Sequence, residues 1–365
     1  MGFPKLLKLK SGTLKLPQYL PDATFGQVRT VDSAATASCG IQALMMNTFH
    51  LMQKPGATTV KSLGGLHRFS GWEKAIFTDS GGFQAYSLIR QNSKFGTLTD
   101  NGISFLPENG ERKFLLTPEK CIQLQVSFDS EVIFCLDDCT HIDDPNSEQE
   151  KSVARTIKWA QRCRKEFSRL MDEKKLAETQ RPKLFGVVQG GNSPELRRRC
   201  AEALLETGFD GYGYGGWPLD EGGSLVEEMI ALTRDLIPSE YPLHALGIGH
   251  PPYIARCAKM GYGLFDSAMP TRDARHGRLY RFKSIPEPSQ LAQSADWFEY
   301  VYATDKRFIK SSEPVEESCG CPICQTYSLG YLRHLYKLND ILYQRLATQH
   351  NLWFMARLMG LLKAA

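Results

Sequence analysis

Short apolar runs recur along the 365-residue chain at 18–20, 42–47, 75–78, 131–136, 184–189, 211–215, 243–247 and 264–266. Several are continuous rather than alternating, which is the pattern of strands buried on both faces. Longer amphipathic stretches with helix start signals lie between them. Thr117-Pro118 and Ser193-Pro194 each set a capping hydroxyl before a proline at the first helical position. Ser147 and Glu150 have capping-box spacing. In the helix that follows, Val153, Ile157, Ala160, Phe167 and Leu170 share one face, a stripe that belongs to core packing. Strands alternating with helices predict an α/β fold. Eight of them suit a (β/α)₈ TIM barrel, although a doubly wound sheet gives a similar alternation.

Two regions break the rhythm. Residues 93–116 read as β-hairpins with turns at Asn101-Gly102 and Asn109-Gly110, an antiparallel insertion in a barrel loop. Residues 285–318 are irregular and rich in Pro, Ser and Glu, and two helices near 327–345 and 352–363 follow. The expected organisation is therefore a barrel over 1–284 and a C-terminal subdomain with its helices over 285–365, packed on the barrel.

The net charge of +4 permits a nucleic-acid partner without requiring one. Arg272, Arg275, Arg278, Arg281 and Lys283 bunch together, which by itself reads as a solvated face. No stretch approaches the ~20 apolar residues of a membrane span. The N-terminus lacks the apolar run and cleavage site of a signal peptide, and Leu6 stands where a myristoylation signal needs Ser or Thr. The ten cysteines follow no disulfide-framework spacing, which points to a reducing cytoplasm.

Three of those cysteines cluster as Cys319-Gly-Cys321-Pro-Ile-Cys324. Soft thiolates at this spacing, joined by an imidazole, suit tetrahedral Zn²⁺, and four protein ligands make such a site structural. His334 and His350 both stand downstream. The longer reach to His350 lets the intervening helix turn back onto the cysteines and is preferred. A redox reading lacks the surrounding βαβ unit.

The polar residues at strand ends carry the chemistry. Asp79, Asp137 with Asp138, Gln189-Gly-Gly191, Gly215-Gly216 and Asp266 each follow or close a predicted strand. Barrel enzymes build their sites at that end. Singly, each is an ordinary cap or turn residue; together they outline a pocket. The diglycines let backbone approach a flat ligand closely. Two carboxylates with different surroundings can divide the roles of nucleophile and acid/base, as at a sugar anomeric carbon. That points to glycosyl transfer but does not identify the substrate.

The chain resembles the tRNA-guanine transglycosylases over nearly its whole length. The shared segments are Asn47-Thr-Phe-His-Leu51, Thr78-Asp-Ser-Gly-Gly-Phe-Gln84, Asp137-Asp-Cys139, Val188-Gln-Gly190, Gly215-Gly216, Gly247-Ile-Gly249, Met269-Pro-Thr-Arg272 and the cysteine set. The resemblance implies a (β/α)₈ barrel with a zinc-binding subdomain and His350 as fourth ligand. It implies Asp266 as the nucleophile that attacks C1′ of the wobble nucleoside and Asp79 as the general base for the incoming base. Asp137, Gln189, Gly215 and Gly216 would bind the base edge, Phe83 and Leu246 would sandwich it, and Arg272 and Arg275 would grip the anticodon uridines. It further implies tRNA with a GUN anticodon, a 7-deazaguanine base and a homodimer.

The chain departs from the usual bacterial pattern at Trp217-Pro-Leu-Asp-Glu221, the loop that meets the base's 7-substituent in the family. The Trp217 carbonyl is expected to accept an aminomethyl ammonium, with Asp220 offering an extra acceptor. The preferred base is 7-aminomethyl-7-deazaguanine, with queuine as the alternative. Non-catalytic accessory subunits of the family lose the catalytic carboxylates that this chain keeps.

Overall fold

The computed structural model describes residues 4–92, 94–107 and 113–364. Its central strands are Gln18–Pro21, Ala43–Met46, Ala75–Thr78, Val132–Phe134, Lys183–Val188, Gly211–Tyr214, Leu243–Ala245 and Leu264–Ser267, all at the predicted positions. They pair in parallel, in chain order, from the second to the eighth. The eighth then pairs with the first, Leu264 opposite Gln18. Closure between first and second rests on a parallel bridge from Asp22 to Met45, with the Ala23 N–H donating to the Met45 carbonyl at 2.7 Å. The sheet is thus a barrel and not an open doubly wound sheet.

The period of two along each strand divides the core. Ala43, Met45, Ala75, Phe77, Val132, Phe134, Phe185 and Val187 fill the barrel interior. Their neighbours Leu44, Met46, Ile76, Ile133, Leu184 and Val188 face the surrounding helices. An N-terminal hairpin of Leu6–Leu9 and Gly12–Lys15, which the pattern did not predict, sends Leu7 and Leu14 into the interior cluster, joined by Leu16.

The insertion is a three-stranded antiparallel sheet of Gly96–Thr99, Gly102–Phe105 and Phe114–Leu116. Its first turn sits on Asp100-Asn101, one residue earlier than predicted, because Gly102 already pairs with Thr99. The expected turn at Asn109-Gly110 lies outside the described residues. Thr117 and Ser193 cap their helices through the N–H groups of Lys120 and Leu196. The expected capping box at Ser147 does not form. That helix, Asn146–Glu173, starts two residues earlier behind Pro145, and Asn146 Nδ2 takes up the Glu150 carboxylate at 3.0 Å.

Beyond the barrel, Arg278–Phe282 pairs antiparallel with Phe298–Tyr302, an element the irregular composition of 285–318 concealed. The terminal helices are Pro322–Thr326, Leu329–Lys337 and Ile341–Ala364. The break lies at Asn339, not between 345 and 352 as predicted. Asn339 adopts φ +53, a left-handed conformation asparagine tolerates, and Asp340 caps the next helix by accepting from the Leu342 N–H at 2.8 Å.

Candidate active site and metal centre

Asp79 follows the third barrel strand and is cradled by segment 47–51. Its Oδ2 accepts from Asn47 Nδ2 at 2.7 Å, and its Oδ1 accepts from the N–H groups of Thr48 at 3.0 Å and Gly81 at 3.1 Å. The Asn47 Oδ1 in turn caps the short helix Thr48–Leu51 through the His50 N–H. Donors on a carboxylate favour the ionised form, but burial opposes it and wins here. Burial pushes the Asp79 carboxyl up to about 8, with the charges of Asp266 and Asp22 adding to the effect. Asp79 is thereby held much nearer to protonation at neutral pH than an ordinary aspartate.

Asp266 ends the eighth strand in a different setting. Its side chain is 19% exposed. Its Oδ1 meets His244 Nε2 at 2.9 Å and the Gly247 N–H at 3.1 Å. Gly249 lets the loop after the seventh strand come this close, since a Cβ there would sit 2.3 Å from the Cβ of Ser267. The structure thus brings Asp79 and Asp266 to one end of one barrel, near enough for the second to raise the first.

Asp137 and Gln189 come from the fourth and fifth strands and bond each other, Gln189 Nε2 donating to Asp137 Oδ2 at 2.7 Å. The Ser80 hydroxyl donates to the other oxygen at 3.3 Å. Burial lifts Asp137 to about 6, countered in part by Gln189. The Oε1 of Gln189 is buried without a hydrogen-bond partner. Gly216, at φ +89, lies beside it: a Cβ there would stand 3.5 Å from that oxygen. Gly215 is closer still, with a Cβ position 2.7 Å from Gln189 Nε2. Asp138 has a structural place instead, paired with Arg155 and accepting no part of this network.

Phe83 and Trp217 form the aromatic rim, 41% and 38% exposed, with ring centroids 5.6 Å apart. His141 lies against Trp217 at 5.6 Å. Leu246 lies over Gly213, where a Cβ would be 2.9 Å from Leu246 Cδ1. Asp220 is exposed and also braces its own loop. Its Oδ1 accepts from the Ser224 N–H at 2.8 Å and holds a turn closed by the Leu219–Leu225 bridge.

The basic cluster separates by pairing. Arg278 and Arg281 pair within the fold with Asp273 and Glu299. Arg272 and Arg275, on the helix Met269–Arg275, have no salt bridge among the described residues, and Arg275 Nη1 is buried without a partner. The charges of Arg29, Asp22 and Arg272 reach Arg275. Asp22, Arg29 and His244 also belong to this end of the barrel and were not singled out from the sequence, and Asn47 was named only as part of the segment 47–51. Asp22 alone had a signal, as an acid at the end of a predicted strand.

A cavity of about 730 Å³ lies at the opposite end, lined by Lys10, His67, Asp129 and Glu131. Among its charged groups Lys10 pairs with Asp129 and His67 with Glu131, and Glu131 also accepts from the Ile76 N–H.

Cys319, Cys321, Cys324 and His350 are all buried, with their donor atoms within 4.8 Å of one another. His334 is not part of the group. Cys321 caps the helix Pro322–Thr326, and His350 projects from Ile341–Ala364. His350 turns Nδ1 to the sulfurs of Cys321 and Cys324, at 3.5 and 3.4 Å, and bonds the Tyr280 carbonyl through Nε2 at 2.8 Å. That second bond fixes the tautomer a metal ligand needs. The donor set can hold a metal ion. The next residue, Asn351, donates to the Pro270 and Arg278 carbonyls and accepts from the Tyr280 N–H, tying the cluster to the arginine-bearing helix.

A family model described as queuine tRNA-ribosyltransferase matches residues 5–365. The chain belongs to this family. A queuine tRNA-ribosyltransferase of Caldanaerobacter subterraneus subsp. tengcongensis is 34% identical over 99% of this chain and 88% of its own length. One from Chromobacterium violaceum is 34% identical over 98% of this chain and 90% of its own. As a family member the chain is a ribosyl-transferring enzyme on a barrel scaffold. Among the described residues no helix is long and apolar enough to cross a membrane.

Proposed function

We propose that this enzyme exchanges the wobble guanine of GUN-anticodon tRNAs for a 7-deazaguanine base through a covalent aspartyl-ribosyl intermediate. The reading rests on one observation: two carboxylates at the same end of the barrel, Asp266 partly exposed and Asp79 buried with its carboxyl at about 8. Asp266 attacks C1′ of the wobble nucleoside. The C1′–N9 bond breaks, and its electron pair leaves with guanine, which takes a proton from Asp79. The resulting Asp79 carboxylate then removes the N9 proton of the incoming base, N9 bonds C1′, and the ester electrons return to Asp266. Asp79 thus serves as acid first and base second, with no net proton change and no redox cofactor.

The unpartnered Gln189 Oε1 supports recognition of an N–H on the base edge, beside Asp137 and the Gly215-Gly216 backbone. Phe83, Leu246 and Trp217 supply apolar faces for a base taken out of its stack. The exposed Trp217 ring also suits an ammonium group on the 7-substituent, favouring 7-aminomethyl-7-deazaguanine. Unpaired Arg272 and Arg275 are the groups for the anticodon. Three thiolates and an imidazole suit zinc, and with four protein ligands the ion serves folding. A homodimer in the cytoplasm completes the proposal; exposed Leu338 (62%) and Ile341 (74%) supply an apolar surface for self-association.

The test is exchange of labelled guanine into GUN-anticodon tRNA, with Asp266→Ala expected to abolish it. Exchange that persists in that variant refutes the assignment. Competition between free bases tests the substrate: displacement by queuine but not by the aminomethyl base would overturn that choice.

A further inference from the structure

His244 sits in the middle of the seventh barrel strand with its side chain in the interior, fully buried. Its surroundings are apolar: the rings of Phe77 and Phe134 meet it edge-on, at 6.3 and 5.5 Å. A histidine in such a layer is costly unless its polar atoms are used. One is used and one is not. Nε2 meets Asp266 Oδ1 at 2.9 Å, whereas Nδ1 is buried with no hydrogen-bond partner. A proton on Nδ1 would be a buried donor with no acceptor, whereas on Nε2 it meets the Asp266 carboxylate. The Nε2–H therefore donates to Asp266.

The Gly247 N–H donates to the same oxygen at 3.1 Å. Both donors fall on Oδ1, and among the described residues no hydrogen bond reaches Oδ2. We propose that His244 is a positioning residue: with the Gly247 N–H it pins Oδ1 and leaves Oδ2 as the oxygen that bonds the ribose carbon. The inference rests on the reading of Asp266 as nucleophile. When the Oδ2–C1′ bond forms, Oδ1 becomes the ester carbonyl oxygen and stays in place. When that bond breaks, its electron pair returns to the carboxylate, and the charge shared by Oδ1 develops facing two fixed donors. The same contact thus serves both halves of the exchange.

Substitution separates this role from packing. His244→Leu removes the donor and also the unpaired Nδ1, so the melting temperature should hold or rise. The kcat for guanine exchange should fall about 10- to 100-fold, the loss of a hydrogen bond to a charged acceptor, with KM for tRNA changed by no more than about twofold. His244→Gln carries an amide N–H at nearly the position of Nε2 and should recover kcat to within about fivefold of the parent. His244→Asn is too short to reach Oδ1 and should be as slow as the leucine variant; it serves if that variant does not fold. A leucine or asparagine variant with parental kcat, or a folded glutamine variant as slow as leucine, would overturn the proposal. Exchange persisting in Asp266→Ala would instead remove the nucleophile reading beneath it.

Discussion

Replacing Asp79 by Asn preserves the side chain's shape and removes its titration. In the native fold this carboxyl stands at about 8, against 3.8 for an ordinary aspartate. Across that interval the native state keeps a proton that the unfolded chain has lost. The native state binds more protons, so stability falls as pH rises from about 4 to about 8 and levels off above. This is opposite in sign to a salt-bridged carboxylate. Linkage over the range from about pH 5 to about pH 9 gives a loss of about 4 kcal/mol from this one group. Asparagine escapes that loss but meets a separate, pH-independent cost. Its Nδ2 would face Asn47 Nδ2, which now donates to Asp79 at 2.7 Å, and Asn47 cannot turn over because its Oδ1 accepts from the His50 N–H. An unsatisfied buried donor costs about 1–3 kcal/mol. The slope therefore carries the test rather than the offset. Urea unfolding of parent and variant, followed by tryptophan fluorescence in steps of pH, should show their difference growing toward the variant by about 4 kcal/mol between about pH 5 and about pH 9. A difference constant to within about 1 kcal/mol would refute the buried, proton-holding carboxyl, and with it the acid role in the first half-reaction.

Other outcomes follow from the same geometry. Cys324→Ala should reduce bound zinc, by metal analysis, from about one per chain to near none and lower the melting temperature, since a broken donor set forfeits the ion's folding energy. Trp217→Ala should raise KM for the incoming base about tenfold or more, the worth of one aromatic–base stack, with kcat little changed in steady-state exchange. Arg275→Ala should raise KM for tRNA about tenfold while leaving the melting temperature unchanged or higher, because the deleted Nη1 is buried without a partner.

The barrel strands were legible because burial on both faces writes them as continuous apolar runs such as Ala75–Thr78 and Lys183–Val188. Closure was not. It depends on the bridge from Asp22 to Met45, made by a residue outside any apolar run. The hairpin Leu6–Leu9 and Gly12–Lys15 escaped notice because strands of four residues carry too few positions to establish a period. Asp79, Asp137 and Asp266 stood out because chain order places them just past or at strand ends. His244 could not, since a lone histidine inside an apolar run reads as packing until the strand's twist sets it against a carboxylate. Asn339 ends a helix through its left-handed backbone, a choice that sequence leaves open between asparagines.

Leu7, Leu14 and Leu16 stopper the far end of the barrel. On the proposed mechanism the reaction chamber, blocked at that end, exchanges its bases at the other, where the polynucleotide stays bound between the two half-reactions. In that mechanism the departing guanine squeezes out past the strand it has just left before its successor steps in. Turnover is thereby governed by traffic at one threshold, and an excess of either free base should jam it.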